Sequence, residues 1–164
     1  MTMTSLKTSK LGIRTIWNTL SLKEISGTDE TRLNYHLSKI QEQLKPEVAA
    51  IQASEPELLK ELPNYQKELL AISKPYVIQE DGKPFVDELG NLSIDPAKEA
   101  SFLKEKQKLD EKWENVIQAS VDHSEFLKED ADMIQITPIP LSVLPKNLTK
   151  IHMVNIFNVV DGEK

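Results

Sequence analysis

Apolar residues recur at steps of three and four along most of the chain, which is the spacing of one face of an α-helix. The strongest repeat follows Ser26-Gly27 and the candidate capping residues Thr28 and Asp29. Its apolar positions are Leu33, Leu37, Ile40, Leu44, Val48 and Ile51. Because this stripe continues in phase beyond Pro46, we expect the helix to kink there rather than end.

Two more prolines, Pro56 and Pro63, each precede a shorter apolar repeat. Proline suits the first turn of a helix, where its missing amide leaves no hydrogen bond unmade. The segment 29–73 therefore predicts either one proline-kinked helical arm or two to three helices in series.

Helical stripes also mark two segments on either side of this arm. An N-terminal helix is predicted over 1–24, with Ile13, Ile16, Trp17 and Leu20 on its apolar face. Asp95-Pro96 supplies an N-cap and a first-turn proline for a second long helix over 96–120. The apolar face of that helix consists of Phe102, Leu109, Trp113, Val116 and Ile117.

Two regions favour strands instead of helices. Residues 74–95 predict a small β-hairpin, in which Phe85-Val86 pairs with 92–94 across the loop 87–91, and 76–78 can add a third strand. In the C-terminal segment, 121–164, residues 133–137 alternate like a strand. Residues 148–160 fit a strand or a helix equally well.

These elements predict a single domain, 1–164, that is mostly α with a small β component (α+β). Two long helices joined through a hairpin pack most simply antiparallel to each other. The N-terminal helix and an irregular or β C-terminal segment complete the expected architecture.

Charge is distributed unevenly, although the chain as a whole carries a formal charge of −6. Residues 1–23 contain four basic and no acidic residues, whereas 24–132 contain 24 acidic and 13 basic residues. The overall sign argues against a dedicated nucleic-acid binder. The basic, Ser- and Thr-rich start also matches an organelle transit peptide, but we favour a retained amphipathic helix.

Residues suited to catalysis or metal binding are scattered rather than grouped. With no cysteines, the chain has no thiolate ligands or nucleophiles, and the histidines His36, His123 and His152 are too far apart in sequence to suggest a zinc site. Asp122-His123-Ser124 cannot form a catalytic triad locally, because neighbouring side chains point in different directions. We therefore expect no enzyme activity, no cofactor and no metal. No apolar run approaches the ~20 residues of a membrane span, which favours a soluble protein.

The order of several short motifs resembles a group of small tailed-phage and prophage proteins of unknown function. The stretches that carry the resemblance are Ile16-Trp17-Asn18-Thr19-Leu20, Ser26-Gly27 before Arg32-Leu33-Asn34-Tyr35, Leu44-Lys45-Pro46-Glu47, Glu80-Asp81-Gly82-Lys83-Pro84, Leu89-Gly90-Asn91 and Pro138-Ile139-Pro140-Leu141-Ser142-Val143-Leu144. The resemblance implies a viral origin and a non-enzymatic role, in the virion or in the cytoplasm of the bacterial host. It assigns no functional residue.

The expected function is protein–protein interaction in virion assembly or structure, with other phage proteins or a second copy as partners. Residues 133–160 contain no acidic residue and are rich in apolar ones. The candidate partner-binding residues are Ile139, Leu141, Val143, Leu144, Ile151, Met153, Ile156 and Phe157. The alternative is an inhibitor of a host defence or nucleic-acid enzyme, whose basic surface would bind the acidic helical arm.

Overall fold

The computed structural model describes residues 3–27, 30–86 and 91–161. These residues are mostly helical with a few short strands, which confirms the predicted α+β class. The helices are α1 (Lys10–Leu20), α2 (Lys23–Ser26), α3 (Thr31–Ala53), α4 (Leu62–Ser73), α5 (Glu99–Lys112), α6 (Glu114–Lys128) and α7 (Lys150–Ile156). The strands are β1 (Thr4–Leu6), β2 (Gln79–Glu80), β3 (Lys83–Pro84), β4 (Ile134–Ile136), β5 (Ile139–Pro140) and β6 (Val160–Asp161).

The chain divides into two compact units. The terminal unit combines Met1–Glu55 with Ser124–Lys164, and the middle unit is the continuous stretch Pro56–His123. The predicted arm, 29–73, is thus shared between them. It forms three helical segments in series, which are α3, a 3₁₀ helix over Glu57–Glu61, and α4.

The core of the terminal unit forms between α1 and α3. Ser9 caps α1 by accepting a 3.1 Å hydrogen bond from the amide of Gly12, and the predicted apolar face of α1 is buried or partly buried. All six stripe positions of α3 are buried, on both sides of Pro46, because the helix continues through the proline. The capping candidates Thr28 and Asp29 lie outside the described residues.

The first strand, β1, pairs antiparallel with β4, with Thr4 opposite Ile136 and Leu6 opposite Ile134. We predicted β4 but not β1, so the N-terminal segment is not helical throughout. A three-residue strand carries too little local pattern to be recognised, and β1 depends on a partner about 130 residues away in the chain.

The end of the C-terminal segment forms the helix α7 followed by the strand β6. Thr149 caps α7 by accepting a 3.2 Å hydrogen bond from the amide of His152. After α7, a 3₁₀ turn over Phe157–Val159 leads into β6, which pairs in parallel with β5. The alternatives left open for 148–160 are thereby resolved in favour of a helix over most of its length.

The middle unit is built around α4 and α5, which run antiparallel. Tyr65 near the start of α4 contacts Asp110 near the end of α5, whereas Tyr76, just after α4, contacts Phe102. Between the two helices, β2 and β3 pair across a two-residue turn in which both Asp81 and Gly82 have positive φ, as the tight hairpin turns require.

The predicted hairpin strands are confirmed only as single bridges, between Val86 and Leu92 and between Val77 and Ile94. Of the loop predicted at 87–91, residues 87–90 lie outside the described part of the chain. The second long helix starts as predicted, with Asp95 accepting a 3.0 Å hydrogen bond from the amide of Ala97. It is interrupted at Trp113 and then continues as α6 to Lys128, beyond the predicted end.

The predicted pairing of two long helices is not confirmed. The longest helix, α3, packs against α1, β4 and β5, and it is the shorter α4 that packs against α5. The prolines account for part of this difference, because the chain leaves α3 after Ala53 and Pro56 starts a separate helical segment.

Candidate functional site

The most unusual surface of the described residues lies on α7 and the 3₁₀ turn after it. Ile151, Val154 and Phe157 are 71%, 75% and 74% exposed. Steps of three residues place these side chains on the same side of the helix. They form a continuous apolar strip, which we call the C-terminal face.

The opposite side of the same segment holds it firmly on the terminal unit. Ile156 and Val159 are fully buried in the core, and the side-chain amide of Asn155 donates a 3.3 Å hydrogen bond to the hydroxyl of Thr19 on α1. The three exposed side chains are therefore presented by an anchored element and not by a loose tail.

Charged residues flank the C-terminal face on either side in the sequence. Lys150 is exposed at the start of α7 and Asp161 is exposed in β6. Neither forms an ion pair with any residue that the structure describes. The face is thus an apolar strip that follows a cation and precedes an anion in the sequence.

The eight predicted partner-binding residues fall into three groups. Ile139, Leu144 and Ile156 are buried in the core, so their apolar character serves folding. Val143 and Met153 are partly buried against that core. Leu141, Ile151 and Phe157 are exposed, and partner binding stays a prediction for these three.

Sequence reasoning missed Val154, which is the most exposed of the large apolar side chains named here. A signal was present, because Val154 lies three residues from both Ile151 and Phe157. It could be used only once this segment was known to be helical.

Titratable groups of the middle unit form a small polar network. The hydroxyl of Tyr65 donates a 2.8 Å hydrogen bond to Asp110, which also accepts one from Lys106. Partial burial alone would raise the pKa of Asp110, but the hydrogen bonds from Lys106 and Tyr65 outweigh it and hold that pKa below its ordinary value. Burial, followed by the hydrogen bond to Asp110, raises the pKa of Tyr65 to about 12.

A second polar cluster lies one helical turn along from the first. Lys112 lies 2.8 Å from Glu68, and the indole of Trp113 donates a 3.3 Å hydrogen bond to the same carboxylate. The bond from Lys112, followed by that from Trp113, lowers the pKa of Glu68. Both networks link α4 to the α5–α6 segment, so their perturbed pKa values have a structural explanation.

A groove of about 590 Å³ runs along α5 and the first turns of α6. Its lining combines the apolar Leu103 and Ile117 with the acidic Asp110, Glu111 and Glu114. The positive charge of Lys106 offsets that of Asp110, to which it is hydrogen-bonded. The net negative charge of the groove therefore comes from Glu111 and Glu114.

None of the three histidines is fully exposed. His36 and His123 are buried and His152 is partly buried. Within residues 3–27, 30–86 and 91–161, no three His, Asp or Glu side chains are grouped as a metal site would require. The same ranges contain no helix that is both long and apolar enough to cross a bilayer.

No family model, curated protein or solved structure matches this chain.

Proposed function

We propose that this chain is a non-enzymatic protein–protein interaction protein of a tailed phage or prophage, acting as a structural or assembly component of the virion. Its place is the virion, or the host cytoplasm during assembly. The phage setting is inferred from the sequence resemblance, and the interaction role from the C-terminal face.

The exposure of Ile151, Val154 and Phe157 is the observation that supports the interaction role. Each such side chain contributes about 1.5–3 kcal/mol when it is fully buried. Single exposed apolar residues are common on protein surfaces, but three in a row on an anchored helix are typical of a binding surface. Burial against another protein would remove this apolar area from water.

The test is incorporation into virions. Particles of the phage that carries the gene are purified and analysed by mass spectrometry, and the wild type is compared with the combined variant Ile151→Ser, Val154→Ser, Phe157→Ser. We expect the wild-type chain in particles or assembly intermediates and at least about a tenfold loss for the variant, since hot-spot side chains dominate interface energies.

A matched control carries Leu58→Ser and Val121→Ser, which change apolar side chains of the middle unit that are 45% and 50% exposed. This control is expected to be incorporated like the wild type. Absence of the wild-type chain from both particles and intermediates would overturn the virion role.

The acidic groove on α5 and α6 supports a second candidate, binding of a basic host protein by the middle unit. Glu111 and Glu114 lie beside the apolar Leu103 and Ile117, a combination that fits a basic amphipathic segment. If a host enzyme is the target, its inhibition should be lost with Glu111→Lys and Glu114→Lys and retained with the C-terminal face variant.

A further inference from the structure

We propose that the C-terminal face pairs with the same face of a second copy of this chain, around a two-fold axis, with the two α7 helices antiparallel. This inference rests on the proposed function, because it names the partner of the same surface. It is drawn from an apolar strip that is flanked in sequence by an exposed cation and an exposed anion, neither of which forms an ion pair with a described residue.

The apolar strip is self-complementary in an antiparallel arrangement. If the axis passes between Val154 and Phe157, Val154 of each copy packs against Phe157 of the other. The two-fold axis then makes every contact occur twice, and the strip of each copy is buried against the other. Two-fold dimers of this kind are by far the commonest symmetric assemblies of soluble proteins.

The end charges select the antiparallel direction. In that direction Lys150 of each copy comes close to Asp161 of the other, and the dimer gains two ion pairs. A parallel arrangement would instead bring Lys150 beside Lys150 and Asp161 beside Asp161, which like-charge repulsion disfavours. Both residues are exposed and without an ion-pair partner among the described residues, so each is available to the second copy.

The small size of the C-terminal face limits the expected affinity of the dimer. Stable interfaces bury about 800 Å² on each partner, whereas this strip offers three large side chains and their flanks. We therefore expect a reversible dimer with a dissociation constant in the micromolar range or weaker, which a high local concentration during assembly would populate.

The experiment measures self-association of the full chain by sedimentation equilibrium. Val154→Asp places an anion in the middle of each strip and is expected to weaken dimerisation at least about tenfold. Since Val154 is 75% exposed, the variant should keep the wild-type circular dichroism spectrum. Val121→Asp, on an exposed position of α6, is the control and should dimerise like the wild type.

Charge reversal tests the geometry separately. Lys150→Glu and Asp161→Lys are each expected to weaken the dimer roughly three- to tenfold, because each creates two like-charge contacts. The double variant restores opposite charges at both ends and should recover wild-type association. A double variant that is weaker than either single variant would overturn the antiparallel arrangement.

Crosslinking offers an independent readout, because the native chain has no cysteine. A Val154→Cys chain should be joined into covalent dimers by a short bismaleimide, whereas a Val121→Cys chain should still associate but should not be crosslinked. A wild type that stays monomeric at high concentration, with no crosslinking of Val154→Cys, overturns self-pairing. Virion incorporation that still depends on the face would, in that case, leave the proposed function standing with another partner.

Discussion

In the terminal unit, α1 and α3 bury large aliphatic side chains against each other, whereas the middle unit buries fewer apolar side chains and has polar contacts between α4 and the α5–α6 segment. The core of the terminal unit contains Ile13, Leu20, Leu33, Ile40 and Leu44, each 1% exposed or less. The buried apolar residues described in the middle unit are Val77, Leu109 and Val116. Its helices are joined instead by the Tyr65–Asp110 and Glu68–Lys112 contacts.

This difference predicts two levels of stability in one chain. Burying an aliphatic side chain is worth about 1.5–3 kcal/mol, whereas an exposed ion pair is worth about 0–1 kcal/mol. The two units can be followed separately, because Trp17 lies in the terminal unit and Trp113 in the middle unit. A Trp113→Phe chain keeps only Trp17 and reports on the terminal unit. A Trp17→Phe chain keeps only Trp113 and reports on the middle unit.

The largest effect is expected from Ile40→Ala in the terminal unit. Ile40 is fully buried on α3, so its truncation leaves a cavity and should lower the free energy of unfolding by about 2–5 kcal/mol. The measurement is urea unfolding followed by Trp17 fluorescence. Leu11→Ala, at a position that is 42% exposed on α1, is the control and should cost clearly less. Equal losses would mean that α3 does not form the core of this unit.

A smaller effect, confined to the middle unit, is expected from acid. Because the folded pKa of Asp110 lies below its ordinary value of 3.8, the stabilisation from this group is complete above that value and is lost as the pH falls through the folded pKa. Glu68 acts in the same direction. The urea concentration at the unfolding midpoint, as reported by Trp113, should therefore decrease when the pH is lowered below about 4.

Asp110→Asn keeps the shape of the side chain and removes its titration. The variant should flatten the acid dependence of the Trp113 signal, and Glu68→Gln should flatten it further. An unchanged acid dependence in the combined variant would show that other carboxylates control it.

Tyr65→Phe removes one hydrogen bond from the same network and should cost about 1 kcal/mol of middle-unit stability. The raised pKa of Tyr65, about 12, adds an alkaline signature. Its stabilisation is complete below the ordinary value of 10 and is lost as the pH rises through about 12, so this loss should be absent from the variant. Tyr35→Phe, at a position that is 53% exposed, is the control for loss of a hydroxyl and should leave the stability unchanged.

The smallest effect is expected from Lys60→Ala. Lys60 and Glu57 form a 2.5 Å ion pair in which the side chains are 73% and 84% exposed. Solvent screens such a pair, so the loss should be below about 0.5 kcal/mol in urea unfolding reported by Trp113. A loss as large as that of Tyr65→Phe would contradict this reasoning.

The helices α1 and α3 of the terminal unit were predictable because their information is local. The stripes of α1 and α3 repeat every three or four residues, and the side chains in them are buried as expected. The same holds for Asp95, whose capping role depends only on the residues next to it. The turn at Asp81-Gly82 was predictable for the same reason.

Features that depend on distant partners were not predictable. The pairing of β1 with β4 and of β5 with β6 joins residues with no shared local pattern. The division of the chain after Glu55 depends on which helices pack together, and periodicity carries no such information. For the candidate site, apolar composition drew attention to residues 133–160, but only the helix showed which of these residues face solvent.

The pairing of β1 with β4 also constrains the order in which the two units can fold during synthesis. Thr4 leaves the ribosome long before Ile136, its partner, so the terminal unit cannot close until most of the chain has been translated. The middle unit is one continuous stretch and meets no such delay. During translation α3 can pack against α1 early, but its surface for β4 and β5 must wait for those strands, and this interval is when the nascent chain is most open to aggregation or to a chaperone.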